Sequence, residues 1–272
     1  MTLLLDSAKK STVDVRPTRP RLGPGRAIPY GRVLGPVVVL AAWWGASAGG
    51  LFDPRLLPAP DTVLAAALDL IERGTLQDSL LVSLQRAGIG FSIGATVGIV
   101  LALLAGLSRS GEAVVDGWMQ VQRSVPTLGL IPLMILWLGI GETFKVVIIA
   151  IVVAIIIYIQ TYAGLTGIDS RYVELAETVD LSRARFIRLV VLPGALPGLF
   201  VGLRLAVTGS WLSLVVLEQI NATSGIGYLM FQAQNYAQTE VIVVYGLFGF
   251  VSDGLLRLVE RKVLAWRSTL SG

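Results

Sequence analysis

Fourteen consecutive apolar residues, VVIIAIVVAIIIYI, open a stretch over residues 146–168 that carries no charge at all. At about 1.5 Å per residue such a run crosses a hydrocarbon core of about 30 Å as a helix. A backbone with no water to bond must satisfy itself internally, which a helix does. Further runs over residues 33–51, 79–107, 118–138, 194–217 and 241–258 repeat the pattern, for six spans. With 54% hydrophobic residues, 15% charged and a mean hydropathy of +0.74, a chain of 272 residues lacks the charged surface to cover a soluble globule. The expected class is therefore all-α, a polytopic membrane protein with six transmembrane helices. Its membrane domain covers residues 33–264, between a basic tail at 1–32 and a C-terminal segment at 265–272.

The tail holds seven Lys or Arg among Pro17, Pro20, Pro24 and Pro29, a composition expected to stay disordered near anionic headgroups. Only Leu3 to Leu5 precede Asp6, so no cleaved leader is expected. Of the 22 Lys and Arg, sixteen fall in the tail, at Arg109, in residues 171–193 and at the C-terminus, against Arg55, Arg73 and Lys145 on the opposite loops. The excess of cations on cytoplasmic loops places both termini in the cytoplasm. This distribution follows topology, so the net charge of +4 does not argue for nucleic acid.

Cysteine and histidine are absent, which excludes disulfides, thiol nucleophiles, histidine acid–base chemistry and Cys/His metal sites. Nor is there a GxxxxGK[ST] loop, so ATP, if used, is bound by another chain.

Local patterns give the spans detail. Trp43 and Trp44 suit an interfacial anchor. Pro60-Asp61 starts an amphipathic helix with Leu64, Leu68 and Ile71 at helical spacing, expected to lie on the outer surface. Gly90, Gly94 and Gly98, and again Gly194, Gly198 and Gly202, present flat stripes for close helix contact. Pro126 and Pro132 interrupt the third span, which is expected to bend and face protein. Arg86, Arg123, Arg204, Glu218 and Asp253 lie in or at the edges of apolar runs. A charge at mid-membrane costs roughly 2.5 kcal/mol or more, so each requires a partner or a watery cavity. Arg204, Trp211, Ser213 and Glu218 are candidates for a substrate pathway, with internal ion pairing and ordinary packing as the competing readings.

Residues 171–193, RYVELAETVDLSRARFIRLVVLP, form a charged island between two apolar runs. Glu174-Leu175-Ala176, then Asp180, then Val190-Val191-Leu192-Pro193 resembles the EAA loop of ABC importer permeases, whose pattern is roughly E-A-A, three residues, G, nine residues, I-x-L-P. Leu175 replaces an alanine and Asp180 stands where the family has glycine. LPAPDTV, PLMILWLGIGE, LPGALPGLFVGLRLA, SGIGYLM and DGLLRLVERKVLAWR, in this order, are similar to the nitrate, sulfonate, taurine and bicarbonate branch of that family.

The resemblance implies a type I ABC importer permease fold in a bacterial plasma membrane. It implies a homodimer set in membrane lipid, two ATP-binding subunits beneath, and a solute-binding protein outside. ATP and Mg would be used by the partner ATPase, with no cofactor bound by this chain and no catalytic residues of its own. The coupling helix would cover 172–179, and the coupling residues would be Tyr172, Glu174, Leu175, Ala176, Val179, Asp180, Leu181, Leu192 and Pro193. A small anion, with an alkanesulfonate or taurine preferred, is the implied cargo. Nitrate, bicarbonate or a vitamin precursor stay open, as does an ion-coupled secondary transporter, which would need ionisable groups deep in the spans.

Overall fold

The computed structural model describes residues 31–248 together with 251 and 254. Residues 1–30 of the basic tail, most of the sixth run after 248, Asp253 and the C-terminal segment lie outside the described residues. The described chain is helical: α1 (Gly31–Ala48), α2 (Pro60–Glu72), α3 (Thr75–Leu107), α4 (Arg109–Ser124), α5 (Thr127–Leu138), α6 (Glu142–Thr166), α7 (Ser170–Thr178), α8 (Arg183–Asn221), α9 (Ile226–Asn235) and α10 (Thr239–Phe248). Of these, α3, α6 and α8 are long and apolar enough to cross a membrane; α4 and α5 count as a fourth crossing if the bent pair is one span.

The sides of α3 show what kind of solvent the sequence anticipates. Its buried residues include Ser79, Ser83, Ala87, Gly90, Gly94, Gly98 and Ala102, whereas Leu81, Ile89, Ile93, Val97 and Leu104 are exposed. Lipid tails are as apolar as leucine, so nothing drives large apolar side chains inward, and small residues that admit a neighbouring backbone take the interface. A Cβ added at Gly98 would lie 2.6 Å from the Ala154 carbonyl oxygen of α6, and one at Gly90 2.7 Å from Ile149 Cγ2. The second stripe meets an adjacent face of α6, and Gly98 and Gly202 both approach Ile157. A Cβ at Gly202 would lie 3.1 Å from Gln160 Cβ, and Gly198 is held against the Gln160 carbonyl, while Gly194 has only ordinary contacts. Thus α6 is the centre, clamped between α3 and α8, with Phe144, Ile148, Ile149, Val153 and Ile157 fully buried.

Helix ends depart from the apolar runs, because a helix continues into polar sequence as long as its backbone bonds are made. The third run is broken between α4 and α5, whose axes differ by 86°. The break includes Pro126, whereas Pro132 sits in the first turn of the α-helical part of α5, Ile131–Leu138, which follows a 3₁₀ turn at Thr127–Leu130, so its missing N–H costs little. The fifth run lies within a helix of 39 residues that begins at Arg183. A wider π-turn at Ile187–Val191 carries that helix from the charged island into the apolar segment. The fourth run gains Glu142 and Lys145 at its start, since α6 begins directly after Gly141. On α2, Val63 is buried while Leu64, Leu68 and Ile71 face outward, as a helix lying on an apolar medium requires.

Candidate functional site

The charged loop is a helix, a hook and a second helix. Asp169 caps α7 by accepting from the Arg171 amide at 3.0 Å. At the far end Leu181 N–H donates to the Ala176 carbonyl at 2.8 Å and Asp180 N–H to the Glu177 carbonyl at 3.1 Å. This is the Schellman arrangement, which needs a left-handed residue at its bend. Asp180 supplies it with φ 52°. The family's usual glycine at this position is thereby explained: the backbone here keeps the left-handed bend even with a side chain present.

Ala176 is buried, whereas Tyr172, Leu175 and Val179 are exposed and leave an apolar face on an otherwise charged loop. Arg183 Nη2 donates to the Leu107 carbonyl at 2.9 Å, bonding the end of α3 to the start of α8. Leu192 and Pro193 follow the π-turn directly, in the first turn of its apolar continuation.

At the opposite end of the long helices the charges within the apolar runs converge. Arg86 of α3 reaches Glu218 of α8 at 2.8 Å through Nη1 and the Ser224 carbonyl at 2.6 Å. It also binds Glu142 of α6 through Nε and, at 2.9 Å, through Nη2. Lys145 Nζ meets the same carboxylate at 3.0 Å. Glu218 is fully buried, and Ser83 Oγ lies 2.8 and 3.0 Å from its two oxygens while Gly227 N–H donates at 2.9 Å. Ile226 N–H donates to Ser83 Oγ at 3.0 Å. The SGIG segment therefore wraps a carboxylate. Gly225 (φ 117°) would otherwise drive a side chain into Glu218, and a Cβ at Gly227 would sit 2.8 Å from Glu218 Cβ. Two cations and two anions make the cluster neutral, and it bonds α3, α6, α8 and the turn before α9 together.

Of the pathway candidates, Glu218 thus sits in this cluster. Trp211 and Ser213 are buried in the helix bundle. Arg204 is exposed and lines a cleft of about 510 Å³ between α6 and α8 with Gln160 and Thr208. Arg123 lines a separate cavity of about 240 Å³ beside Tyr158 and Tyr162. Those tyrosines stack with centroids 5.5 Å apart and donate to Asp116 at 3.0 Å and Glu112 at 2.9 Å. Sequence reasoning missed Glu142, Lys145 and Ser83. The available signal was Glu142 at a helix start next to an apolar run, where an isolated charge demands a partner.

Residues 94–265 match the model of the family described as binding-protein-dependent transport system inner membrane component. A putative aliphatic sulfonates transport permease protein SsuC of Escherichia coli (strain K12) is 44% identical over 235 residues, 85% of this chain and 89% of the relative. A protein of the same description from Bacillus subtilis (strain 168) is 36% identical over 259 residues, 93% of this chain and 94% of the relative. Among solved structures, the crystal structure of an amino acid ABC transporter with histidines superposes with a TM-score of 0.55 at 20% identity, covering 72% of this chain and 97% of that one. At that identity the likeness speaks for the fold alone, a type I ABC importer permease fold.

Proposed function

The chain belongs to the binding-protein-dependent transport system inner membrane component family, and on that premise we propose that it is the membrane subunit of an ATP-driven importer for alkanesulfonates, taurine among them. The membrane subunit of such an importer carries no chemistry itself. Partner subunits bind and hydrolyse ATP, and a solute-binding protein delivers the cargo. In this reading two copies of the chain pair in the bacterial inner membrane, both termini face the cytoplasm, and ATPase closure drives alternating access.

The observation that carries the reading is the short α7 with its exposed Tyr172, Leu175 and Val179, hooked at Asp180 and continuous through Leu192-Pro193 with the longest helix of the bundle. An apolar face on a water-facing loop is costly unless a partner covers it. A groove on the ATPase is that partner, Glu174 sits on the docking helix, and Leu181 closes the hook. Since α8 runs without interruption from this loop to Glu218, displacement of α7 reaches the ion cluster at the other end of the bundle. The preference for sulfonates draws on the descriptions of the relatives.

Reconstitution with the partner ATPase and solute-binding protein tests both parts. Uptake of radiolabelled ethanesulfonate should require ATP and should fall to background in Glu174→Arg. Normal coupled uptake by that variant would end the assignment of the loop, and ATP-driven uptake of nitrate or bicarbonate in place of sulfonate would end that of the cargo.

A further inference from the structure

A groove of about 370 Å³ runs along α3 at its C-terminal end, lined by Val100, Leu103, Leu104, Leu107 and Ser108. Val100 and Leu104 are half-exposed, so the groove opens outward. Four of the five lining residues are apolar, and the polar group of the fifth is committed: the Ser108 hydroxyl donates to the Leu104 carbonyl at 3.0 Å and accepts from the Gly111 amide at 2.9 Å. A polar solute finds nothing to bond along these walls, whereas a hydrocarbon chain loses nothing there. From Val100 to Leu107 the groove is about 10 Å long at about 1.5 Å per residue.

Cations gather where α3 stops. The last carbonyls of a helix have no intrahelical partner and attract positive charge. Arg183, at the start of α8, meets the Leu107 carbonyl through Nη2 at 2.9 Å, which fixes its guanidinium at the end of the groove. Arg109, at the start of α4, follows Ser108 directly. Both arginines are exposed, and neither takes part in an ion pair among the described residues. Glu112, the first carboxylate after Arg109 in the chain, instead accepts from the Tyr162 hydroxyl at 2.9 Å.

An apolar slot ending at two unneutralised arginines fits a ligand with a long hydrocarbon part and an anionic head. We propose that the groove seats an acyl chain of an anionic phospholipid, its phosphate against Arg183 and Arg109. A guanidinium presents its N–H groups in a fork that matches phosphate oxygens. Arg183 has Nε and Nη1 uncommitted for that role among the described residues, while Nη2 holds the carbonyl. Charge complementarity sets aside the ends of this chain as occupants. Residues 1–30 carry six Lys and Arg against two Asp, and residues 249–272 four against two acids, so the arginines repel both. Arg183 then holds the end of α3 and the headgroup together, and the lipid joins α3 to the foot of α8. The proposal does not rest on the cargo assigned above.

Full-length protein in nanodiscs of phosphatidylcholine with a minor share of phosphatidylglycerol provides the test, the lipids it keeps being read by native mass spectrometry. Phosphatidylglycerol should be retained over phosphatidylcholine, and saturably. Arg183→Gln and Arg109→Gln should each lower that preference about fivefold, the equivalent of about 1 kcal/mol per basic residue at a membrane surface. Arg109 makes no side-chain hydrogen bond among the described residues, so its variant removes charge without loosening the bundle. Leu104→Trp fills the half-exposed groove and should lower the preference with both arginines in place. Arg171→Gln serves as the control, since it removes an exposed arginine of the charged loop that is paired with Asp169 and does not line the groove, and it should change nothing. Retention without preference for phosphatidylglycerol, indifference to Leu104→Trp, or a loss in Arg171→Gln as large as in Arg183→Gln overturns the proposal.

Discussion

Arg86 and Glu218, 132 residues apart in the chain, meet at 2.8 Å with 8% and 0% of their side chains exposed. Removing one partner of such a pair strands the other in a poorly solvated interior. Arg86→Met is expected to cost about 3–5 kcal/mol, while Arg86→Met combined with Glu218→Met should recover much of the loss. Thermal unfolding of the two variants in one detergent checks this, and equal melting points for single and double variants would count against it.

Gly98 and Gly88 make a matched test of the helix seam. Gly98→Ala forces a Cβ to 2.6 Å from a backbone carbonyl oxygen, and should cost about 1–3 kcal/mol. Gly88 has nothing within 4 Å of the same position. Gly88→Ala should therefore be neutral or stabilising by about 0.5–1 kcal/mol, the conformational freedom glycine gives up in a helix. Melting points of both variants in the same lipid provide the comparison.

Asp180 and Ala237 share a bend. Ala237 has φ 53°, and Gln238 N–H donates to the Ala233 carbonyl at 2.8 Å, repeating at the end of α9 the hook at the end of α7. A left-handed residue other than glycine costs about 1–2 kcal/mol, partly offset by glycine's greater entropy when unfolded. Ala237→Gly should stabilise by about 0.5–1 kcal/mol and Asp180→Gly by less, since aspartate tolerates the bend better than alanine. Stability curves in denaturant read both, and Asp180→Val should move the other way.

Tyr158 is 2% exposed and donates to Asp116 at 3.0 Å, joining α6 to the π-turn at Glu112–Asp116 of α4. Tyr158→Phe should cost about 1 kcal/mol. Hydrogen exchange should show the loss as faster opening of α4, with α3 unchanged.

The apolar runs made the long helices legible before any coordinates, because a bilayer imposes length and composition together. The glycine stripes gave their contact faces for the same reason, although Gly194 has no neighbour that would resist a side chain. Asp180 was legible as a turn because the spacing to Leu192-Pro193 survives the substitution. What hydropathy could not reach were helix ends and long-range pairs. Lys145 reads as a loop cation in the sequence, yet it is 1% exposed and neutralised by Glu142. Arg183, Arg185 and Arg188 read as a second short helix of the charged loop from Ser182, yet they begin the longest helix among the described residues, since a helix needs only backbone bonds to continue through polar sequence. Arg86 and Glu218 show no local pattern that couples them, and only the bundle brings them together.

The interlock of α3 with α6 has a mechanical meaning. Where a glycine rides against a carbonyl, one helix cannot ratchet past the other without collision, so the two behave as a single stiff beam. The π-turn at Ile187–Val191 lies outside that interlock, where α8 leaves the charged loop. A wide turn holds one residue more than a regular one, and that surplus can be passed along the helix. Each transfer lengthens or shortens the arm above the charged loop by about 1.5 Å without severing it. The foot of α8 is in this sense a gear tooth, and the glycine seam is the frame against which it turns.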